Sequence, residues 1–261
     1  MTKIAVVIPT VFNRPEYLPT AYESIAGQAG DFELDIIIGC PANVVDSVKR
    51  TIPEATVVAE PATGGLGHKL GALLSDAASA SDFVAWLGDD DLLTKDSLKT
   101  AASALLANTD ASMVYGGCDY IDASGRVLFT NTSGPWASKI LRFGPQLIPQ
   151  PGSLMRSEAY AASGGLTDQF HLAFDFDLFL RLQQQGELVH VDQTLSQFRW
   201  HPNSLSVKRR LTSVLEASSV RRNYYRGPAR FTWWVWEPVV ISATWLAGKL
   251  VSQKARRLSG S

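Results

Sequence analysis

The sequence predicts an α/β protein built on a mostly parallel, Rossmann-like sheet flanked by helices. Three observations carry that expectation. Ile4-Ala5-Val6-Val7-Ile8 and Phe83-Val84-Ala85-Trp86-Leu87 are short apolar runs without polar alternation, the pattern of strands buried on both faces. Segments with apolar residues at helical spacing alternate with such runs, which implies right-handed βαβ units. The second run ends in Gly88-Asp89-Asp90-Asp91, so it delivers three carboxylates to the carboxyl edge of a sheet, where open α/β proteins bind ligands.

The elements follow in order. The first strand breaks at Pro9-Thr10, and Asn13-Arg14-Pro15 reads as a helix start with Pro in the first turn, continued by Leu18, Tyr22 and Ile25. Asp35-Ile36-Ile37-Ile38-Gly39 is a second strand, 44–52 a short helix and 55–59 a third strand. The Gly-rich turn Thr63-Gly64-Gly65-Leu66-Gly67 opens a helix through Leu70, Leu73, Leu74 and Ala77. Residues 83–87 form the fourth strand, and Thr94 is placed to cap a helix through Leu98, Ala101 and Leu105. Met113-Val114-Tyr115 is a fifth strand, and 119–129 reads as a hairpin turning at Ala123-Ser124-Gly125. Irregular chain rich in Gly and Pro spans 132–152. A short helix from Ser157 stops at Gly164-Gly165, a helix spans 174–185, and 188–198 is a strand.

Composition narrows the class. Apolar residues make up 46% of 261, enough for one large domain or a domain with an appendage. No signal-peptide pattern precedes Ile4. Cys40 and Cys118 lack metal-ligand spacing and read as free thiols of a reducing, cytoplasmic protein. The net charge of −1 hides an asymmetry. Residues 208–258 hold eleven Lys and Arg against Glu216 and Glu237, a net +9, so the remainder carries −10. An acidic body with a basic tail suggests an anionic surface as the tail's partner.

Asp89, Asp90 and Asp91 repel one another, and a cation relieves that repulsion. Hard oxygen ligands suit Mg²⁺ or Mn²⁺ rather than zinc. The plainer alternative is a solvated acidic turn. Lys69, near a helix N-terminus after a Gly-rich turn, is placed to assist phosphate binding. The turn lacks the Gly-Lys-Ser/Thr of a P-loop.

Five segments together resemble glycosyltransferase family 2. They are Val6-Val7-Ile8-Pro9-Thr10 with Asn13-Arg14 and Tyr17-Leu18; Leu87-Gly88-Asp89-Asp90-Asp91, like the family's DXD metal motif; Gly164-Gly165-Leu166-Thr167-Asp168; Asp175-Phe176-Asp177-Leu178-Phe179-Leu180-Arg181-Leu182; and Phe198-Arg199-Trp200-His201-Pro202-Asn203-Ser204-Leu205-Ser206. The resemblance covers roughly residues 4–206. Departures are Gly39-Cys40-Pro41-Ala42-Asn43, where the family often has Asp-Asp-Gly-Ser-x-Asp; Gly67-His68-Lys69-Leu70-Gly71, where it has Ala-Arg-Asn-x-Gly; and Phe174, where a Glu often precedes the catalytic Asp.

The resemblance implies a GT-A fold over residues 1–206 and metal-dependent, inverting transfer from a nucleotide diphosphate sugar to a glycan or lipid-linked acceptor, in a cell-envelope role. It implies Asp175 as the catalytic base, with Asp177 pointing to the other side of the helix. It assigns metal contacts to Asp91, Asp89 and His201, and donor contacts to Pro9, Thr10, Arg14, Asp89, Asp90 and Arg199. The rivals are a non-catalytic GT-A-like binding module, which the altered 39–41 stretch motivates, and a nucleotidyltransferase.

Residues 207–261 form a basic, Trp-rich helical tail. Its apolar stretch, 231–247, is broken by Glu237 and Pro238, too short and interrupted for a span. With Arg and Lys on both sides it suits a helix lying in an anionic interface, peripheral to the inner membrane face. The alternative is a helix pair packed on the body or on the second subunit of a homodimer. Nucleic acid is the least favoured partner.

Overall fold

The computed structural model describes residues 1–200 and 209–259. Among the described residues nine strands form one sheet: β1 (Thr2–Pro9), β2 (Phe32–Cys40), β3 (Thr56–Ala59), β4 (Phe83–Trp86), β5 (Leu92–Leu93), β6 (Ala111–Ile121), β7 (Val127–Asn131), β8 (Leu154–Arg156) and β9 (Glu187–Arg199). Their spatial order is β3-β2-β1-β4-β8-β6-β9-β5, with β7 also paired to β6. The first half is parallel, with β1 between β2 and β4. The second half mixes antiparallel β8 and β5 with the long parallel pair β6–β9.

Strand order reverses at β1, which lies between the two directions of winding, and in open α/β sheets such a reversal, here at the ends of β1 and β4, is where ligands bind. Their apolar runs are explained by burial on both faces. Ala5, Val7, Val84 and Trp86 enter one core, and Ile4, Val6, Ile8, Phe83, Ala85 and Leu87 enter the other. The first core is closed by α3 (Leu66–Ser79), α6 (Ser157–Ala162) and α7 (Phe174–Gln185), the second by α1 (Leu18–Ala26), α2 (Val45–Thr51) and α4 (Ser97–Ala107). A short helix α5 (Trp136–Ile140) lies within the segment expected to be irregular.

Two expected helix starts are corrected. Helix α1 begins at Leu18, with Pro19 rather than Pro15 in its first turn. Helix α4 begins at Ser97 after Asp96, and Thr94 is not its cap: the Thr94 hydroxyl donates to the Thr194 carbonyl, 2.6 Å. Thr94 lies just past β5, so pairing with β9 takes the hydroxyl. The expected stop after α6 is present, with Gly164 and Gly165 both at positive φ and their N–H groups donating to the last turn.

The tail is two helices, α8 (Arg210–Tyr224) and α9 (Ala229–Ser259). Val220 of α8 is part of the first core, and Ala217 and Tyr224 pack against it. No described helix is long and apolar enough to cross a membrane.

Candidate active site

The carboxyl ends of β1, β4 and β9 meet in one hydrogen-bonded cluster. Beyond Pro9, the Thr10 amide donates to Gly39 across β1–β2, which fixes its side chain over β4, and the hydroxyl donates to Asp89 Oδ2, 2.6 Å. The Arg14 guanidinium donates to Asp90 Oδ2 at 2.6 Å and lies 3.6 Å from Asp89 Oδ1. The Arg199 amide donates to Asp91 Oδ1, 3.0 Å, and its Nε donates to the Asp90 carbonyl, 2.9 Å. Arg199 Nη1 donates to the carbonyls of Asp122 and Ala123, and the guanidinium stacks on Tyr17 at 4.5 Å. Arg199 is thus a buried bracket around the Asp turn, tying it to the β6–β7 hairpin.

Burial dominates the electrostatics. Asp91 is buried beside Asp90, and its carboxyl is pushed up to about 8. Burial also raises Asp89, against the Thr10 hydrogen bond and the Arg14 charge. A side chain at Gly88 would meet Asp91 Oδ2 at 2.8 Å and Asp90 Oδ1 at 3.3 Å. Two carboxylate oxygens therefore converge over the bare glycine. Among the described residues, no three His, Cys, Asp or Glu side chains form a ready-made metal cage. His201 lies outside the described residues.

A second carboxylate pair sits on the first turn of α7, and its members part ways. Asp177 is buried, accepts Arg181 Nε at 2.9 Å and accepts the Tyr224 hydroxyl at 2.8 Å. Asp175 is half-buried and accepts neutral donors, Gln146 Nε2 at 2.9 Å and the Phe176 amide at 2.8 Å. Desolvation raises the Asp175 carboxyl above its ordinary range, and the Gln146 hydrogen bond opposes the rise. The loop carrying Gln146 also reaches β4, because Gln150 Nε2 donates to the Trp86 carbonyl, 2.9 Å. The loop thus spans from the strand that carries the Asp turn to the helix that carries Asp175.

Lys69 is paired with Glu60 at 2.6 Å. The N-terminus of α3 is capped by Asp168, whose Oδ2 and Oδ1 accept the amides of Gly65 and His68 at 2.8 and 2.7 Å. Close packing explains the glycines of that turn: a side chain at Gly67 would come within 2.4 Å of the Thr167 carbonyl.

Sequence reading missed three contributors. Gln146 lies in a segment without periodicity, and nothing in the sequence marks it. Glu60 follows a strand as any loop acid would. Glu216 Oε2 accepts the amides of Leu172 and Ala173, just before α7. Its one signal is that it is the sole acid of α8.

A family model described as glycosyltransferase-like family 2 matches residues 65–226. The O-antigen biosynthesis protein RfbC of Myxococcus xanthus is 31% identical over 120 residues, 46% of this chain and 9% of its own length. The hyaluronan synthase of Pasteurella multocida is 20% identical over 212 residues, 79% of this chain and 21% of its own. The chain thus spans less than a quarter of either relative. Among solved structures, the mannosyltransferase PcManGT from Pyrobaculum calidifontis, in complex with GDP-Man and Mn²⁺, superposes with a TM-score of 0.61 at 15% identity, covering 97% of this chain and 75% of that one. That likeness gives the fold, GT-A. The family model matches well over half of the 261 residues, and the chain belongs to the glycosyltransferase-like family 2.

Proposed function

We propose that the protein transfers a sugar from a nucleotide diphosphate sugar to a hydroxyl of a glycan or lipid-linked acceptor, with inversion and with a divalent cation. The carrying observation is the convergence of Thr10, Arg14, Asp89–Asp91 and Arg199 at the carboxyl ends of β1 and β4. The binding of GDP-Man and Mn²⁺ by a neighbour of the same fold supports the reading.

The donor set fits Mn²⁺ or Mg²⁺. Asp91 and Asp90 turn oxygens toward one point over Gly88, and buried, mutually repelling carboxylates are stabilised by a cation. These ions are held by one or two carboxylates plus substrate phosphates, so a full protein cage is not required. Asp91 would hold the ion, with Asp90 turned to the same point and Asp89 beside them in the turn, and when bound the ion would neutralise the leaving diphosphate. Arg14, partly exposed beside the Asp turn, contributes positive charge there. Arg199 and Thr10 keep the carboxylates oriented.

Asp175 takes the proton from the acceptor hydroxyl. Its raised pKa brings it nearer the optimum for a base at neutral pH. Gln146 orients it by occupying Oδ2. A single base acting opposite the leaving group gives inversion.

Calorimetry with a panel of nucleotide sugars, with and without Mn²⁺, combined with transfer assays, tests this. Asp91→Ala is expected to abolish the Mn²⁺-dependent part of donor binding. Asp175→Asn is expected to retain donor binding and lose about 10²–10⁴-fold in kcat. Full activity in both variants overturns the mechanism.

A further inference from the structure

Helix α9 is two-faced, and only one face is used by the fold. Glu237 and Ala255 on the inner face are fully buried, and Ser252 nearly so. Glu237 accepts Arg221 Nε at 3.0 Å and the Tyr225 hydroxyl, and Arg221 also donates to the Gly144 carbonyl. Trp236 lies against Tyr225 and Phe143. At the far end Lys254 covers Phe129 of β7, and Arg126 donates to the Leu258 carbonyl. The helix is therefore held on the body along its length.

The outer face is apolar and exposed. Phe231, Trp234 and Val239 are 75%, 66% and 67% accessible, and Val235, Leu246 and Leu250 are exposed with them. From 231 to 250 this stripe runs about 29 Å at 1.5 Å per residue. Exposed Arg222, Arg226 and Arg230 lie at one end, and Lys249 and Arg257 at the other. Between 226 and 258 the sole acid is Glu237, buried against Arg221. Contiguous exposed apolar surface of this kind marks an interaction site.

We infer that the outer face of α9 docks flat on an anionic lipid surface. Tryptophan and aliphatic side chains enter the headgroup boundary, and the basic ends pair with lipid phosphates. Charge decides against a second copy of the chain. Two such stripes laid together, in either direction, set basic ends against basic ends with no exposed acid between them. An anionic surface neutralises both ends at once. Because the inner face is locked to the body by Arg221 and Glu237, docking holds the whole molecule in one orientation to the lipid.

Sedimentation of the full chain with vesicles tests this without any donor chemistry. Vesicles of phosphatidylcholine with 30% phosphatidylglycerol, set against pure phosphatidylcholine, are the two arms. Binding is expected on the anionic vesicles, at least about tenfold weaker on neutral ones and weaker with added salt. Phe231→Ser with Trp234→Ser, both on the exposed face, is expected to reduce binding about tenfold or more, with the circular dichroism spectrum unchanged. Arg226→Glu with Arg230→Glu, both exposed at the basic end, is expected to do the same through charge. Equal binding to both vesicle types, or no binding to either, overturns the inference. So does a dimer in analytical ultracentrifugation that Trp234→Ser dissociates, which assigns the stripe to a second copy.

Discussion

The two carboxylate clusters, Asp89–Asp91 and Asp175/Asp177, lie on opposite sides of the Gln146–Gln150 loop and are built on opposite principles. The first packs three carboxylates into one turn and serves them with Thr10, Arg14 and backbone amides. Burial still raises Asp89 and Asp91, so the protein's own donors leave the charge under-compensated. The second separates its two carboxylates across a helix. Asp177 receives Arg181 and Tyr224 and becomes part of the framework, while Asp175 receives only neutral donors. A cluster short of positive charge is suited to gripping a cationic ligand. A carboxylate raised by desolvation and held by an amide is suited to moving a proton. The difference lies in which partners the fold supplies, since the side chains are the same.

The second cluster depends on the tail, which gives the comparison its sharpest break. Arg221 and Glu237 are a fully buried ion pair, and Arg221 also holds Gly144, two residues from Gln146. Removing one partner of such a pair leaves an uncompensated buried charge, at a cost of about 3–5 kcal/mol. Glu237→Ala is therefore expected to lower stability by about that amount in urea unfolding and to reduce transfer more than donor binding. Replacing both, Arg221→Met with Glu237→Leu, is expected to restore stability. If Glu237→Ala lowers donor binding and transfer equally, the two clusters are not separate in the sense argued here.

This asymmetry also explains what was legible in the sequence. The cluster at Asp89–Asp91 is contiguous and follows a run buried on both faces, so both its place and its chemistry could be read. The positions of α7 and β9 were readable from apolar period and bounding glycines. Gln146 was not readable, because its contact with Asp175 is set by a loop path without periodicity. Glu216 and Arg221 were counted as tail charges, and only packing reveals that one holds the chain just before α7 and the other is buried. Thr94 was misread because a long-range carbonyl competed with the local cap.

Asp168 links the two halves more weakly. Its carboxylate accepts two amides at the start of α3, and those hydrogen bonds, chiefly that of Gly65, hold its pKa below the ordinary range. Asp168→Ala is expected to cost about 1 kcal/mol, the usual worth of a cap. A lowered carboxylate contributes stability above its unfolded pKa of about 3.9, and that stability is lost as pH falls through the folded value. The difference between wild type and variant should therefore shrink in acid unfolding below about pH 4. A constant difference across that range refutes the cap.

The finest test concerns Gln146. As the proposed base, Asp175 would act in its ionised form, so the rate of transfer should fall as pH drops through its pKa. The Gln146 hydrogen bond favours the ionised form. Gln146→Leu removes it, so the acid limb of the kcat profile should move to higher pH. Donor affinity should be unchanged, because the Gln146 amide is given to Asp175. Linkage supplies an independent check. A carboxylate whose folded pKa is raised contributes stability below its unfolded value and loses it as pH rises through the folded one. Ionised Asp175 therefore weakens the fold at neutral pH, and Asp175→Asn should raise stability at pH 7 while it removes turnover. An acid limb that stays in place in Gln146→Leu, together with an Asp175→Asn protein no more stable than wild type, would return Asp175 to the framework alongside Asp177.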